Sequence, residues 1–117
     1  MKITANQKKA LPYRIMKDGR EIVKKTAAGS VEYRRRISQM WHRDHGRCCL
    51  CGIWLHPDSA TFEHKRSRGM GGGTRDDRIE VNGISHYLGN AAKGSMSYER
   101  YMELSPTERL RNCGRLQ

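Results

Sequence analysis

The residues best suited to chemistry are an acidic residue and a histidine side by side, Glu63-His64. A carboxylate offers hard oxygen atoms to a cation, and an imidazole exchanges protons near neutral pH. Asn82 follows after a long loop, and Asn90 and Lys93 lie three residues apart, hence on one face of a helix. A single strand histidine is more often structural, so the interpretation depends on the ordered set. We predict that the carboxylate and the imidazole project side by side.

A Cys-x2-Cys pair, Cys48 and Cys51, precedes these residues and is followed by Gly52. The chain has four cysteines; Cys49 belongs to the same cluster, and only Cys113 stands apart. The first residues lack the hydrophobic core of a signal peptide, so we expect a reducing, cytoplasmic compartment. There, cysteines bind metal or stay free rather than form disulfides. The pair is interpreted as metal ligands, with two small buried thiols as the alternative.

The predicted elements that position these residues begin with a helix from Ser30. Ser30 is its predicted N-cap, and Tyr33, Ile37 and Trp41 recur every four residues on a face that we expect to join the core. The three arginines from 34 to 36 are expected on the rest of the helix surface. Asp44-His45-Gly46 should end the helix.

A block of short elements is predicted next. We expect strands over residues 53–55 and 60–64, with Trp54 and Phe62 in the core. A loop of about twenty residues, rich in glycine around residues 69–73, then leads to a helix from about Gly83 to Lys93. The tail should carry a short helix near residues 98–104 and a last helix capped by Ser105 with Pro106 at its first position.

The first 29 residues are expected to form a basic N-terminal arm. Asp18-Gly19 is a two-residue turn pair between residues 13–17 and 20–24, which predicts a hairpin. An isolated hairpin is marginal, so it must dock or be partly mobile. Residues 26–29 read as a linker, and residues 30–117 as the main part of what is one domain.

The charge of the chain suits a polyanionic partner. Lys and Arg number 23 against 12 Asp and Glu, a formal net charge of +11. Neutralising phosphates releases counterions and so favours binding to nucleic acid, although solubility alone is the simpler explanation of a basic chain. No apolar run is long enough to span a bilayer, so a membrane partner is not expected.

The ordered set resembles the HNH, or ββα-metal, nuclease family over roughly residues 43–95. The family pattern is a Cys-x2-Cys knuckle, an acidic residue before a histidine, a Gly-Gly loop, a central Asn, and a helix with Cys-x2-Cys, Asn or His, and then Lys-Gly. The matching positions here are Cys48, Cys51, Glu63-His64, Gly71-Gly72-Gly73, Asn82, His86, Asn90 and Lys93-Gly94. The resemblance implies an α+β fold with a zinc-knuckle-like ββα-metal core, an N-terminal hairpin and flanking helices.

The same resemblance implies a role for each matched residue. His64 would be the general base, and Asn82 would brace the loop that positions it. Glu63 and Asn90 would hold one catalytic Mg²⁺ or Mn²⁺. The activity implied is hydrolysis of phosphodiester bonds in DNA, leaving 5′-phosphate and 3′-hydroxyl ends. Phosphate contacts are expected from seven arginines and one lysine: Arg34, Arg35, Arg36, Arg66, Arg68, Arg75, Arg78 and Lys93.

The chain departs from the family pattern in two places. Glu63 stands where many members have Asp, and the second Cys-x2-Cys reads His86-x2-Gly89. Cys48, Cys51 and His86 then give three ligands for a structural Zn²⁺, whereas a tetrahedral site needs four. Cys49, His56, Cys113 or water would complete the site; absence of zinc is the other alternative.

Three functions remain open from the sequence. The first is an HNH endonuclease that nicks or cuts DNA, for which a double-strand break requires a homodimer or two successive nicks. The second is a zinc-knuckle nucleic-acid-binding module without catalysis, which the missing cysteine at Gly89 allows. The third is an accessory protein of a DNA-processing complex. Small proteins of this kind resemble phage-encoded nucleases, which would act in the host cytoplasm.

Overall fold

The N-terminal part of the chain forms a short helix followed by a β-hairpin. The structure, a computed structural model, describes residues 3–66 and 73–116. Helix α1 (Ala5–Ala10) precedes strands β1 (Tyr13–Ile15) and β2 (Glu21–Val23), which pair antiparallel around the predicted Asp18-Gly19 turn. The hairpin prediction is confirmed.

This hairpin docks on the rest of the protein. The Glu21 carbonyl accepts from the Asp77 backbone N–H at 2.7 Å, and the Val23 N–H donates to the Asp77 carboxylate at 2.7 Å. Arg36 pairs with Glu21 at 2.8 Å and lies over the Tyr13 ring, 4.6 Å from its centroid. The docked alternative is therefore the one observed.

Helix α2 (Ala27–Arg43) is longer than predicted. Its N-cap is Thr26, whose side chain accepts from the Gly29 N–H, so the predicted Ser30 cap and the linker over residues 26–29 were wrong. A threonine hydroxyl satisfies a helix N-terminus as well as serine does, and sequence alone did not separate the two. The C-terminus is as predicted: the helix ends at Arg43, and Gly46 has a φ of +70°. A Cβ there would lie 2.7 Å from Trp54 Nε1, so the position also requires the small residue.

The predicted order of strands and helix after α2 was partly wrong. Strand β3 (Thr61–His64) is confirmed, but its partner is β4 (Asn82–Ser85), where a helix start was predicted. Helix α3 (Tyr87–Lys93) begins only after it. All four residues of β4 are buried, and pairing with β3 decides their conformation rather than local propensity. Residues 53–55 form no strand; Trp54 makes one isolated bridge to Arg47.

The core lies between α2, the β3–β4 pair and the tail. Its buried apolar members include Met40, Leu50, Phe62, Ile84 and Tyr101. Tyr33, Ile37 and Trp41 pack against it from α2, as expected, whereas Trp54 is 53% exposed and its core placement was wrong.

The tail adds α4 (Tyr98–Tyr101) and α5 (Pro106–Asn112). Ser105 caps α5 by accepting from the Glu108 N–H, with Pro106 at the start, as predicted. The molecule is thus a small α+β domain with two two-stranded sheets, β1–β2 and β3–β4, and helices around them. Among the helices of the described ranges, none has the length and apolar character needed to cross a bilayer.

Candidate metal centre and candidate active site

Three cysteines and a histidine come together on one side of α3. Cys48 and Cys51 lie on the turn after α2, His86 is the N-cap of α3, and Cys113 is the C-cap of α5. One potential ligand atom from each lies within 4.8 Å of all the others. Backbone N–H groups of Leu50 and His86 approach Cys48 Sγ at 3.3 and 3.5 Å. Within the ranges that the structure describes, this is the one such group of Cys, His, Asp and Glu side chains.

Gly89 explains how Cys113 completes the group. A Cβ at position 89 would lie 2.3 Å from Cys113 Sγ and 3.2 Å from Leu50 Cδ1. The thiol of Cys113 therefore occupies the space beside α3 that a side chain at position 89 would need. Cys113, which lies 24 positions after Gly89 in the chain, is thus the fourth member of the group. Of the alternatives for a fourth ligand, Cys113 is the one brought into the group.

The chemistry of the cluster fits a soft divalent cation such as Zn²⁺. The thiol of Cys113 lowers the pKa of Cys48 to about 4 through a hydrogen bond, and backbone N–H groups add to this although burial opposes it. The same hydrogen bond, together with burial, raises the pKa of Cys113. Nδ1 of His86 lies 3.4 Å from Cys51 Sγ, and its buried Nε2 has no hydrogen-bond partner in the described part of the chain. Three sulfur atoms and one imidazole form a closed set typical of structural zinc.

The imidazole of His64 is fixed from two directions. Residues two apart in a strand share a face, and the rings of Phe62 and His64 stack with centroids 4.6 Å apart. Tyr33 of α2 also stacks on Phe62, with ring centroids 4.9 Å apart. Nε2 of His64 lies 2.7 Å from Oδ1 of Asp77. The carboxylate favours the tautomer with the proton on Nε2, which leaves the Nδ1 lone pair free to accept a proton.

Asp77 is the residue that organises this region, and sequence reasoning missed it. Its side chain is 0% exposed and accepts from His64, Arg75 and the backbone of Val23. Burial alone would raise the pKa of Asp77, but these hydrogen bonds outweigh it and hold the pKa well below its usual range. The carboxylate is therefore an anion beside His64. The sequence offered one indication, two aspartates inside an otherwise basic loop.

Glu63 and His64 bind different partners, Lys93 and Asp77, so the predicted side-by-side pair of open groups is not formed, although both residues line one cleft. Neighbouring residues of a strand face opposite sides, and Glu63 turns inward, 1% exposed, to the Lys93 ammonium at 2.9 Å and the Ser85 hydroxyl at 3.3 Å. Burial raises the pKa of Glu63, partly offset by the hydrogen bond from Lys93. Lys93 also donates to the His64 carbonyl at 3.1 Å.

The two asparagines take different positions. Asn90 donates from Nδ2 to the Phe62 carbonyl at 3.0 Å, so Oδ1 is the atom that it can offer to a cation. Asn82 accepts from the Lys65 N–H at 3.3 Å and donates to the carbonyls of Asp76 and Arg78 at 2.7 and 2.6 Å. It thus ties together the two described ends of the long loop.

Glu63, His64, Asn90 and Lys93 line one cleft of about 590 Å³, which we call the His64 cleft. The other wall carries Tyr33 of α2. The structure therefore brings the predicted residues to one concavity, although the Glu63 carboxylate is bound to Lys93 rather than open.

Several of the cations predicted to contact phosphate are already paired. Arg75 is bound to Asp77, Arg78 to Asp76, and Lys93 to Glu63, at 2.7, 2.7 and 2.9 Å. Arg36 is 4% exposed and paired with Glu32 and Glu21, so its predicted surface position was wrong. Arg35 is partly exposed and paired with Glu32. Arg34 and Arg66 are exposed, whereas Arg68 and the glycines at 71 and 72 lie outside the described residues.

Comparison of the chain with models of protein families, with curated proteins and with solved structures found no match.

Proposed function

We propose that this protein is a metal-dependent endonuclease of the HNH kind, which hydrolyses phosphodiester bonds in DNA with His64 as the general base. The observation that supports this most directly is the arrangement around His64. Its imidazole lies at a cleft, stacked on Phe62, with Nε2 held by the buried carboxylate of Asp77 at 2.7 Å. A histidine in a fixed orientation, with one nitrogen held and the other available, is typical of proton transfer.

The reaction follows from this orientation. Nδ1 of His64 accepts a proton from water as the water oxygen forms a bond to phosphorus, and the bond from phosphorus to the 3′ oxygen breaks. The leaving oxygen takes a proton from solvent, giving 5′-phosphate and 3′-hydroxyl ends. Asp77 stabilises the imidazolium that forms, because a buried anion interacts strongly with a positive charge at 2.7 Å.

Glu63 and Asn90 are the proposed ligands of one Mg²⁺ or Mn²⁺, through a carboxylate and an amide oxygen. Such a cation would offset charge on the scissile phosphate. Glu63 must exchange Lys93 for it, because the ammonium lies 2.9 Å from Glu63 Oε1. Lys93 would then be released toward the cleft that it already lines.

The Cys3His group is proposed as a structural Zn²⁺ site rather than a catalytic one. All four ligand positions are taken by protein side chains, which leaves no coordination position for a substrate. The order of β3, β4 and α3, with Cys-x2-Cys before them and His86 at the start of α3, supports the ββα-metal architecture.

DNA is the proposed partner because the net charge is +11 and because two unpaired guanidiniums of the described part, Arg34 and Arg66, lie on the surface near the cleft. Cations that are free of internal carboxylates are the ones that can neutralise phosphates.

A nucleic-acid-binding module without catalysis is the second candidate. The Glu63–Lys93 ion pair favours it, because an ammonium already satisfies the carboxylate that a cation would need. This candidate predicts salt-sensitive DNA binding and no turnover in Mg²⁺ or Mn²⁺.

Plasmid nicking separates the two candidates. Supercoiled plasmid is incubated with the zinc-loaded protein and added Mg²⁺, Mn²⁺ or Zn²⁺, and relaxed circles are measured over time. We expect nicking with Mg²⁺ or Mn²⁺ and a loss of at least about a hundred-fold in His64→Ala, because general-base catalysis contributes roughly 10²–10⁴-fold.

The matched control is His45→Asn, which replaces an exposed histidine whose φ of +55° asparagine tolerates. It should nick like the wild type. Cleavage that persists in His64→Ala at the wild-type rate would remove His64 from the mechanism, and absence of turnover in the wild type with all three metals would favour the binding module.

A further inference from the structure

A second cleft lies beside the His64 cleft along α2. It has a volume of about 630 Å³ and is bordered by Trp41, Pro57 and Asp58. We call it the Trp41 cleft. Tyr33, Ile37 and Ala60 line both clefts, so the two are continuous across one face of α2. A ligand that is bound at His64 can therefore extend directly into the Trp41 cleft.

The lining of the Trp41 cleft suits a planar, weakly polar group rather than a phosphate. Its walls carry the rings of Tyr33 and Trp41 and the apolar side chains of Ile37, Pro57 and Ala60. Nucleobases stack on aromatic rings whatever their sequence. A volume of this size is in the range that holds a ligand larger than a single base.

Positively charged side chains lie at the edges of the two clefts. Arg34 lines the Trp41 cleft and is exposed, and it has no ion pair within the described ranges. Arg66 is exposed at the His64 cleft. Asp58 is the opposing charge, on a side chain that is 90% exposed and turned to solvent at the outer rim. Guanidiniums beside an apolar cleft match the alternation of phosphate and base along one strand.

We propose that the Trp41 cleft binds an unpaired base of the DNA strand whose phosphate lies at His64, so that the substrate contains a single-stranded segment. In a duplex the bases are stacked and paired, and a base enters a concave pocket only after it leaves the stack. The site is thus matched to single-stranded or branched DNA. This inference rests on the proposed function for the position of the phosphate, but binding to the Trp41 cleft is testable without turnover.

Binding is measured by fluorescence anisotropy with labelled oligo(dT) and with a blunt duplex of equal length, without added Mg²⁺ or Mn²⁺. The decisive variants are Ser38→Trp, which fills the Trp41 cleft from α2, and Gln39→Trp, an exposed neighbour that does not line it. We expect oligo(dT) to bind more tightly than the duplex at equal salt. Ser38→Trp should weaken oligo(dT) binding by about ten-fold or more, the scale of one lost stacking contact, and Gln39→Trp should not.

Equal affinity for oligo(dT) and duplex, or equal effects of the two tryptophan variants, would overturn the proposal. A dimer detected by sedimentation would also overturn the proposal if oligo(dT) did not dissociate it and Ser38→Trp prevented its formation. In that case a second copy of the protein would cover the cleft. If Ser38→Trp fails to fold by circular dichroism, Arg34→Ala is compared with Arg14→Ala. Both arginines are exposed, but Arg14 lines neither cleft. A larger loss of oligo(dT) affinity in Arg34→Ala supports the proposal, and equal losses overturn it.

The binding experiment and the nicking assay can succeed or fail independently of each other. Selective oligo(dT) binding that depends on the Trp41 cleft, with no cleavage of either plasmid or labelled oligo(dT) in Mg²⁺ or Mn²⁺, supports this inference and contradicts the nuclease. Nicking by a protein that binds duplex and oligo(dT) equally supports the nuclease and contradicts this inference.

Discussion

At the scale of single residues, the site depends on a carboxylate that lies thirteen positions from the histidine it holds. Asp77 Oδ1 is 2.7 Å from His64 Nε2, and the same side chain binds Arg75 and the Val23 backbone. A buried aspartate with these partners both orients His64, the proposed base, and joins two parts of the fold. A test of its role in catalysis must separate the two effects.

Asp77→Asn keeps an acceptor for His64 but removes the negative charge. We expect kcat for DNA nicking to fall by about 10²- to 10⁴-fold, because loss of the carboxylate that holds a general-base histidine in its tautomer lowers kcat by up to roughly 10⁴-fold, with little change in KM. Rates of wild type and variant are measured at a temperature well below the unfolding midpoint of both.

Arg75→Ala is the matched control, because it removes another partner of Asp77 without touching His64. It should reduce stability while leaving kcat close to the wild-type value. Equal losses of kcat in the two variants would mean that Asp77 acts only through the stability of the fold.

At the scale of elements, the candidate zinc site joins three segments that also meet in the core, where Arg109 of α5 donates to the Leu50 carbonyl at 3.0 Å. The turn at Cys48–Cys51, the start of α3 and the end of α5 each contribute, and Gly89 lets α5 approach α3. A small domain with a modest core gains stability from such a site. The position of α5 should therefore depend on the space at residue 89.

Gly89→Ala places a methyl group 2.3 Å from Cys113 Sγ. Alanine favours a helix over glycine by about 1 kcal/mol, but overpacking costs about 1–3 kcal/mol, and here it also displaces a ligand. We expect a net loss of stability and weaker Zn²⁺ binding, measured by thermal unfolding and by competition with a zinc-sensitive dye.

Gly73→Ala is the comparison, since a Cβ there meets no atom of residues 3–66 and 73–116 within 4 Å. It should change neither property. A Gly89→Ala protein that melts higher than the wild type and retains zinc equally well would show that Cys113 is not held as described.

At the scale of the whole molecule, the N-terminal hairpin belongs to the same packed unit as the candidate site. Asp77 connects β2, the described end of the long loop and His64, and Arg36 of α2 connects Glu21 with Glu32. These charges are buried together, so the stability of the molecule should depend on their ionisation.

Acid should remove the contribution of Asp77 to the free energy of unfolding. Its pKa in the folded protein is lowered, so its contribution is complete above the unfolded value of about 4 and disappears as pH falls through the folded value. The pKa of Asp76 is also lowered, so its contribution to stability is likewise lost in acid. The pKa of Glu63 is raised, so acid changes its contribution to stability in the opposite direction. Because zinc ligands also protonate in acid, the useful quantity is the difference in unfolding free energy between wild type and Asp77→Asn. It should be largest near neutral pH and shrink below about pH 4; a difference that stays constant down to pH 2 would contradict this.

Features of the fold that depend on neighbouring residues could be predicted from the sequence. The Asp18-Gly19 hairpin, the end of α2, strand β3 and the Ser105 cap each depend on a few neighbouring residues, and each was predicted correctly. The resemblance to the HNH pattern also implied that Cys48, Cys51 and His86 belong to one cluster, and the structure brings the three together. Local conformation and side-chain chemistry both depend on short segments of the sequence.

Contacts between residues far apart in the chain could not be predicted, because they depend on how the elements pack. Cys113 joins Cys48 across 65 positions, and Asp77, not a predicted site residue, holds His64. Packing of the elements also decides which cations are paired: Arg36, Arg75, Arg78 and Lys93 are bound to carboxylates, and Glu63 faces Lys93 instead of the imidazole beside it. A buried charge requires a partner, and the partner is chosen by how the elements pack rather than by distance along the chain.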